Sequence, residues 1–249
     1  MINYNDKKRK IMKKIKTVYK IDRENNLATE EVNKGAEWVI EGKGIATLKV
    51  DGSACLVKDG ELYKRYDRKL KSHFVKQLRS QENFVVTEDM FNEIPADAIP
   101  CQEKPDPVTY HHPHWVKVDA NKAEDKFHIE ALNNFKETLS DGTYELIGSK
   151  INNNPYGLEN HVLVKHGAEI LNVPDRSFEG IKSFLENLNG EGIVFYNEDT
   201  GDMAKIRRKD MCKDLCKVEG RPGELVWTPQ IDHRNQVNND LKKKKPKKW

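Results

Sequence analysis

Lys49, Val50, Asp51 and Gly52 close a segment, residues 45–50 (IATLKV), whose composition suits a β-strand. In extended backbone the side chains of Lys49 and Asp51 point to the same side, and the glycine permits a sharp turn. An amine is thereby presented at a strand edge, where a nucleotide phosphate can meet it. K-x-D-G by itself is a weak signal. Its company strengthens it. In order along the chain come Arg65, leading into Asp67-Arg68-Lys69, then Tyr144-Glu145-Leu146-Ile147-Gly148, then Glu191-Gly192-Ile193-Val194. The set closes with Lys205-Ile206-Arg207, which puts two cations on one face of a strand.

The elements that must position these residues are legible in outline. Strands are expected at 45–50, 53–58 and 61–66, with Asp59-Gly60 as a two-residue hairpin turn between the last two. Residues 90–114 hold five prolines and read as an irregular surface loop. A helix is expected from about Ala123 to Leu139, with Phe127, Leu132, Phe135 and Leu139 on one face. Strands follow at 143–147 and 161–165, and a helix after Ser177. A second hairpin joins 191–196 to 203–207, and a short helix around 209–217 closes the fold. Residues 11–21 read either as a basic amphipathic helix or as a strand entering the first sheet.

With 249 residues the chain has room for one large domain or two small ones. No apolar run approaches the roughly 18 residues a membrane helix needs, and the start, MINYNDKKRK, lacks the apolar core of a secretory signal. An intracellular, non-secreted protein is the expectation. Cys55, Cys101, Cys212 and Cys216 are too few and scattered for a disulfide scaffold, and the last two lack the further ligands of a zinc site. The net charge of +3 conceals +7 over residues 1–20 and +6 over residues 241–249, which leaves −10 on the body between. Local patches, not the overall field, would therefore hold a polyanionic partner.

The ordered motif set resembles that of the covalent nucleotidyltransferases, which comprise ATP-dependent DNA and RNA ligases and mRNA-capping guanylyltransferases. The stretches LKVDGSAC, KRYDRK, ELIGSKINNNPYGL, HVLVKHGA and GEGIVF followed by AKIRRKD resemble, more closely, the vertebrate-type 5′–3′ RNA ligase family. They run from about Ile45 to Met211, and NNNPYG at 152–157 goes beyond the motifs that all nucleotidyltransferases share. The resemblance implies an α+β fold: a nucleotidyltransferase (ATP-grasp-like) core of antiparallel sheets flanked by helices, without a C-terminal oligonucleotide-binding barrel. The core would occupy 23–220, between a basic N-terminal segment at 1–22 and a polar, lysine-rich tail at 221–249.

The same resemblance implies roles. Lys49 would attack the α-phosphate of ATP and carry lysyl-AMP, which requires the neutral amine and hence a shift away from an ordinary pKa of about 10.4. Lys205, Arg207 and a divalent Mg²⁺ or Mn²⁺ would supply the positive charge that disfavours the ammonium. Asp51 and Gly52 belong to the nucleotide-binding turn, Glu145 would bind ribose hydroxyls, and Glu191 would be the metal ligand. Arg65, with Arg68 as a second candidate, would contact the nucleotide or an RNA terminal phosphate. His166 falls in the family's HGA stretch as a neighbour of the site. The implied substrates are ATP and RNA with 5′-phosphate and 3′-hydroxyl ends, and no obligate protein partner is evident.

Two positions depart from the family pattern. Leu48 stands where a glutamate that helps read adenine is expected, and Arg207 replaces a histidine, restoring the two-cation form of the wider superfamily. A GTP-dependent capping enzyme or small DNA ligase is the alternative within the same chemistry, although only 42 residues follow Arg207. A catalytically inactive RNA-binding protein of the same fold is the alternative outside it.

Overall fold

Most of the alternating segments become antiparallel strands in the computed structural model, which describes residues 15–81, 83–135 and 139–212. The strands are β1 (Lys16–Thr17), β2 (Tyr19–Ile21), β3 (Ala28–Val32), β4 (Ile45–Lys49), β5 (Ser53–Lys58), β6 (Glu61–Arg68) and β7 (Ile99–Pro100). They continue with β8 (His112–Lys117), β9 (Gly142–Ile147), β10 (Val162–Lys165), β11 (Ile170–Leu171), β12 (Gly192–Tyr196) and β13 (Met203–Arg207). The helices are α1 (Glu37–Ile40), α2 (Ser72–Ser80), α3 (Lys126–Asn134), α4 (Phe178–Glu186) and α5 (Arg208–Met211). The result is the mixed α+β class expected, dominated by antiparallel pairing.

Two larger sheets carry the site. One has the order β1-β13-β12-β4-β11 and is antiparallel except where β1 runs beside β13. The other is β10-β9-β5-β6-β8-β7, antiparallel throughout. A two-stranded ribbon of β2 and β3 is hydrogen-bonded to neither, but its Tyr19, Ala28 and Val32 pack into the core of the first.

Period-two alternation explains what each face does. In the five-stranded sheet, Ala46, Ile193, Phe195, Ala204 and Ile206 pack in one cluster with Ile181 and Leu185 of α4. The helix starts where Ser177 caps it, its side chain accepting from Gly180 N at 3.1 Å. In the six-stranded sheet, Cys55, Val57, Leu62, Tyr144, Leu146 and Leu163 pack against Ala131 and Phe127 of α3. Each sheet thus has one face sealed by a helix. A third cluster, which joins Leu48 and Val50 to Ile147, Tyr156 and Val164, links the two sheets. Between β4 and β5 the chain leaves the first sheet for the second, and residues 50–52 are that crossing.

Several expectations shift at their edges. The hairpin of β5 and β6 forms as read, with Asp59 and Gly60 both left-handed (φ 54° and 78°), which asparagine-like and glycine residues tolerate in such turns. The helix expected over 123–139 is a 3₁₀ turn at Ala123–Asp125 followed by α3, which stops at Asn134 because Phe135 turns extended. Phe135 and Leu139 still pack on that core from outside the helix. The alternative of an N-terminal helix gives way to β1 and β2 in the described part of 11–21; residues 11–14 lie outside it. The loop expected over 90–114 contains β7 and the start of β8. Of the closing helix the described residues contain α5, while residues 213–217, Cys216, the C-terminal tail and most of the N-terminal segment lie outside them. Among the described residues no helix is long and apolar enough to cross a membrane.

Candidate active site

Register across the five-stranded sheet assembles the first half of the site. Gly192 of β12 sits opposite Lys49 of β4 on one side and Arg207 of β13 on the other. One row further along, Val194 sits opposite Thr47 and Lys205. Cross-strand partners share a face, so Lys49, Lys205 and Arg207 all point away from the α4 core. Lys49 and Arg207 are two strand spacings apart, about 10 Å at the Cα atoms. The residue between them has no side chain. A Cβ at Gly192 would lie 2.2 Å from Ile206 O, so the backbone also excludes any larger residue there.

The three cations differ in how they are held. Lys49 Nζ is paired with a carboxylate oxygen of Glu191, and both side chains are largely covered. Glu191 is tied to β4 as well, since its N–H donates to Lys49 O at 3.1 Å. Arg207 grips buried Asp210, with Nη2 donating to Oδ1 at 2.6 Å and Nε to Oδ2 at 2.9 Å. Those bonds raise the Arg207 guanidinium further and fix its direction. For Lys205, no hydrogen bond or ion pair among the described residues engages the ammonium. Burial first, then the charges of Lys49 and Arg207, push it below its ordinary 10.5.

The crossing at 50–52 brings the second sheet to this face. A Cβ at Gly52 would lie 2.3 Å from Leu146 O and 2.8 Å from Glu145 Cγ, so its absence lets β9 approach the turn that follows Lys49. Glu145 is buried, opposite Ala54 and Val164, and its Oε2 is 2.7 Å from His166 Nε2. Asp51 is held by Asn152, whose Nδ2 donates to its Oδ1 at 2.8 Å, and its N–H donates to the Tyr156 hydroxyl at 2.7 Å. Burial, and then the carboxylates of Asp51, Glu191 and Glu145, push the Tyr156 phenol well above its usual range, despite the bond from Asp51.

The two arginines of β6 part company. Arg65 is largely covered, bonds Asp67 through Nε at 3.0 Å, and borders a cleft of about 300 Å³ with Gln102, Asp106, Thr109, His111 and Pro113. Extending the β5–β6 register by one residue sets Ala54 opposite Arg65, so Glu145 and Arg65 share a face about 10 Å apart. Arg68 is buried, its guanidinium 4.9 Å from the Phe91 ring centre, its Nε donating to Asn92 O at 2.7 Å and a further nitrogen to Glu88. It pins the 88–92 segment and is not gathered with the others.

Lys49, Asp51, Gly52, Glu145, Glu191, Lys205 and Arg207 are thus brought to one place, with Arg65 on the flank. Sequence reasoning passed over Asp210, Asn152 and Tyr156 as individual residues. Only the specificity of the 152–157 stretch hinted at the last two. As for a metal, no three His, Cys, Asp or Glu side chains among the described residues group closely enough to hold one alone. Glu191 offers a single carboxylate, which suits an ion such as Mg²⁺ that takes one or two protein carboxylates and completes its shell from phosphates and water.

Comparison with known proteins adds a second line of evidence. The family model described as RNA ligase 1 matches residues 115–221. Curated proteins named RNA ligase 1 from Pongo abelii and Rattus norvegicus are each 31% identical to this chain over 233 residues, covering 73% of it and 71% of the relative. The protein of that name from Danio rerio is 34% identical over 234 residues, with the same coverage.

Proposed function

The chain belongs to the RNA ligase 1 family, and from that membership and the cation-lined face we propose that it is an ATP-dependent 5′–3′ RNA ligase acting through lysyl-AMP on Lys49. The observation that carries the reading is the row Lys49–Gly192–Arg207 with Lys205 beside it. Three cations share one face, the centre of the row is empty of side chain, and Lys205 has no counter-charge of its own among the described residues. Such a surface is completed by an anion, and a triphosphate fits its charge and spacing.

In the first step the neutral amine of Lys49 attacks the α-phosphorus, an N–P bond forms, and the P–O bond to pyrophosphate breaks. Lys49 Nζ is engaged by the Glu191 carboxylate, so that contact must open before the amine can reach the α-phosphorus. Lys205 and Arg207 stabilise the charge on the phosphoryl oxygens, Arg207 in a direction fixed by Asp210. Glu191 would hold Mg²⁺ or Mn²⁺, which when bound supplies further positive charge at the phosphates. Glu145, oriented by His166, accepts hydrogen bonds from the ribose hydroxyls. AMP then passes to the 5′-phosphate of RNA, and a 3′-hydroxyl displaces it to seal the strand. Arg65 and its cleft flank the site where the RNA end would enter, while Arg68 acts by holding the neighbouring 88–92 segment. Leu48 contributes no polar group to base reading, which leaves that task to backbone groups and other side chains.

Incubation of the full chain with Mg²⁺ and α-labelled ATP should give an acid-labile, SDS-resistant adduct that Lys49→Ala abolishes. Label from GTP instead would favour a capping enzyme, and no label from either an inactive RNA-binding protein. Sealing of 5′-phosphorylated RNA in preference to the DNA equivalent is expected.

A further inference from the structure

The turn that follows Lys49 is not self-supporting. Three of its polar groups are satisfied from a segment about a hundred residues away. Asn152 Nδ2 donates both to Asp51 Oδ1 at 2.8 Å and to Gly52 O at 3.0 Å. The Tyr156 hydroxyl accepts the Asp51 N–H at 2.7 Å, and its ring is 2% exposed, packed with Leu48, Val50, Ile147 and Val164. Three bonds from one short segment thus converge on two consecutive residues, the pair next to the nucleophile's strand.

The segment is built to hold still. Asn152, Asn153 and Asn154 are all left-handed, with φ of 45°, 60° and 53°, a conformation asparagine tolerates better than other side chains. Asn154 ties the loop to itself: its Nδ2 donates to Leu158 O at 2.9 Å, and Leu158 N donates back to its Oδ1 at 2.9 Å. Gly157 N closes the turn on Asn154 O at 3.1 Å. A left-handed run this long is costly and persists only where its surroundings over-determine it. Here it aims Asn152 and Tyr156 at Asp51 and Gly52.

We propose that residues 152–157 form a clamp on the nucleophile turn, with Asn152 and Tyr156 as positioning residues that set where Lys49 stands relative to the bound nucleotide. The clamp rests on the reading of Lys49 as nucleophile. It explains why a stretch without catalytic side chains accompanies the motifs that have them. A displacement of about 1 Å in a reacting group can cost on the order of a hundredfold in rate, so losing one clamp bond should slow chemistry more than it weakens nucleotide binding.

The test uses the full chain, single-turnover formation of the labelled adduct, equilibrium ATP affinity and melting temperature. Tyr156→Phe keeps the ring in its cluster and removes only the acceptor. Asn152→Gly suits the left-handed backbone of an exposed residue, which makes it the safe second variant if the first fails to fold. Each is expected to slow adduct formation about tenfold or more while ATP affinity changes less than threefold. The double variant should lose less than the product of the two, because both hold one turn. Wild-type rates in either variant, or rate losses matched by equal losses of ATP affinity, would overturn the clamp. Should wild-type protein take no label, or Lys49→Ala retain it, the nucleophile reading fails instead.

Discussion

Lys64 on the six-stranded sheet and Lys205 on the five-stranded sheet are both partly buried lysines, and their surroundings push them in opposite directions. Burial alone would lower Lys64, but hydrogen bonds to Asp125 and Glu124 outweigh it and raise the ammonium above 10.5. Lys205 meets burial together with the charges of Lys49 and Arg207, and is lowered. The contrast extends to neighbours. Arg65 has Asp67, Arg68 has Glu88, and Lys117 has Glu61 at 3.2 Å, so the second sheet neutralises its cations locally. The first sheet gathers three cations on one face and leaves one of them without a partner among the described residues. Paired charge there is architecture. Unpaired charge, on the proposed reading, is a binding surface held at the expense of stability until a ligand arrives.

The sharpest way to break this contrast is Lys205→Met. If Lys205 stabilises the phosphoryl oxygens as proposed, its loss should slow adduct formation by about 10²–10³-fold. The same change should raise the melting temperature at neutral pH, since it removes first the cost of burying the ammonium and then its repulsion by Lys49 and Arg207. The sign follows from the lowered ammonium. The unfolded chain binds more protons than the folded one between the lowered value and 10.5, so the penalty of Lys205 fades as pH rises through that window. Calorimetry across pH should show the stabilisation by Lys205→Met shrinking toward pH 10.5; a destabilised variant would refute the idea of unpaired charge.

Lys64→Met tests the other side. It strips the partner from Asp125, which is fully buried, and should cost about 3 kcal/mol, read from denaturant unfolding. Because Lys64 is raised, its contribution is whole below 10.5 and is lost only as pH climbs through the raised value, the reverse of Lys205. Adduct formation per folded molecule should stay near wild type. The smallest expected effect is that of His166→Gln, which loosens Glu145 without touching phosphate. A rise of several-fold in KM for ATP with little change in kcat is expected, and an equal fall in kcat would place His166 in the chemistry instead.

Much of this was readable from local pattern. The Asp59-Gly60 hairpin, the strand ending at Lys49 and the paired cations of β13 follow from period-two alternation and turn chemistry. What local pattern did not carry is register. That Gly192 falls between Lys49 and Arg207 depends on pairing strands distant in sequence, whose partners include Thr47 and Val194, 147 positions apart. Strand β8 was missed because its HPH start, with Pro113, disguises the alternation that Trp115 and Val116 complete. The fates of Arg65 and Arg68 diverged for a similar reason. Which arginine is consumed by a partner depends on where the 88–92 segment folds back, and no local spacing states that.

The most direct measurement is the site of attachment. Full-length protein charged with ATP and Mg²⁺ would be digested under conditions that preserve a phosphoramidate, and the nucleotide-bearing peptide sequenced by mass spectrometry. AMP is expected on Lys49 alone. Its appearance on Lys205 or any other lysine, with Lys49 unmodified, would contradict the assignment of the nucleophile and the roles built around it.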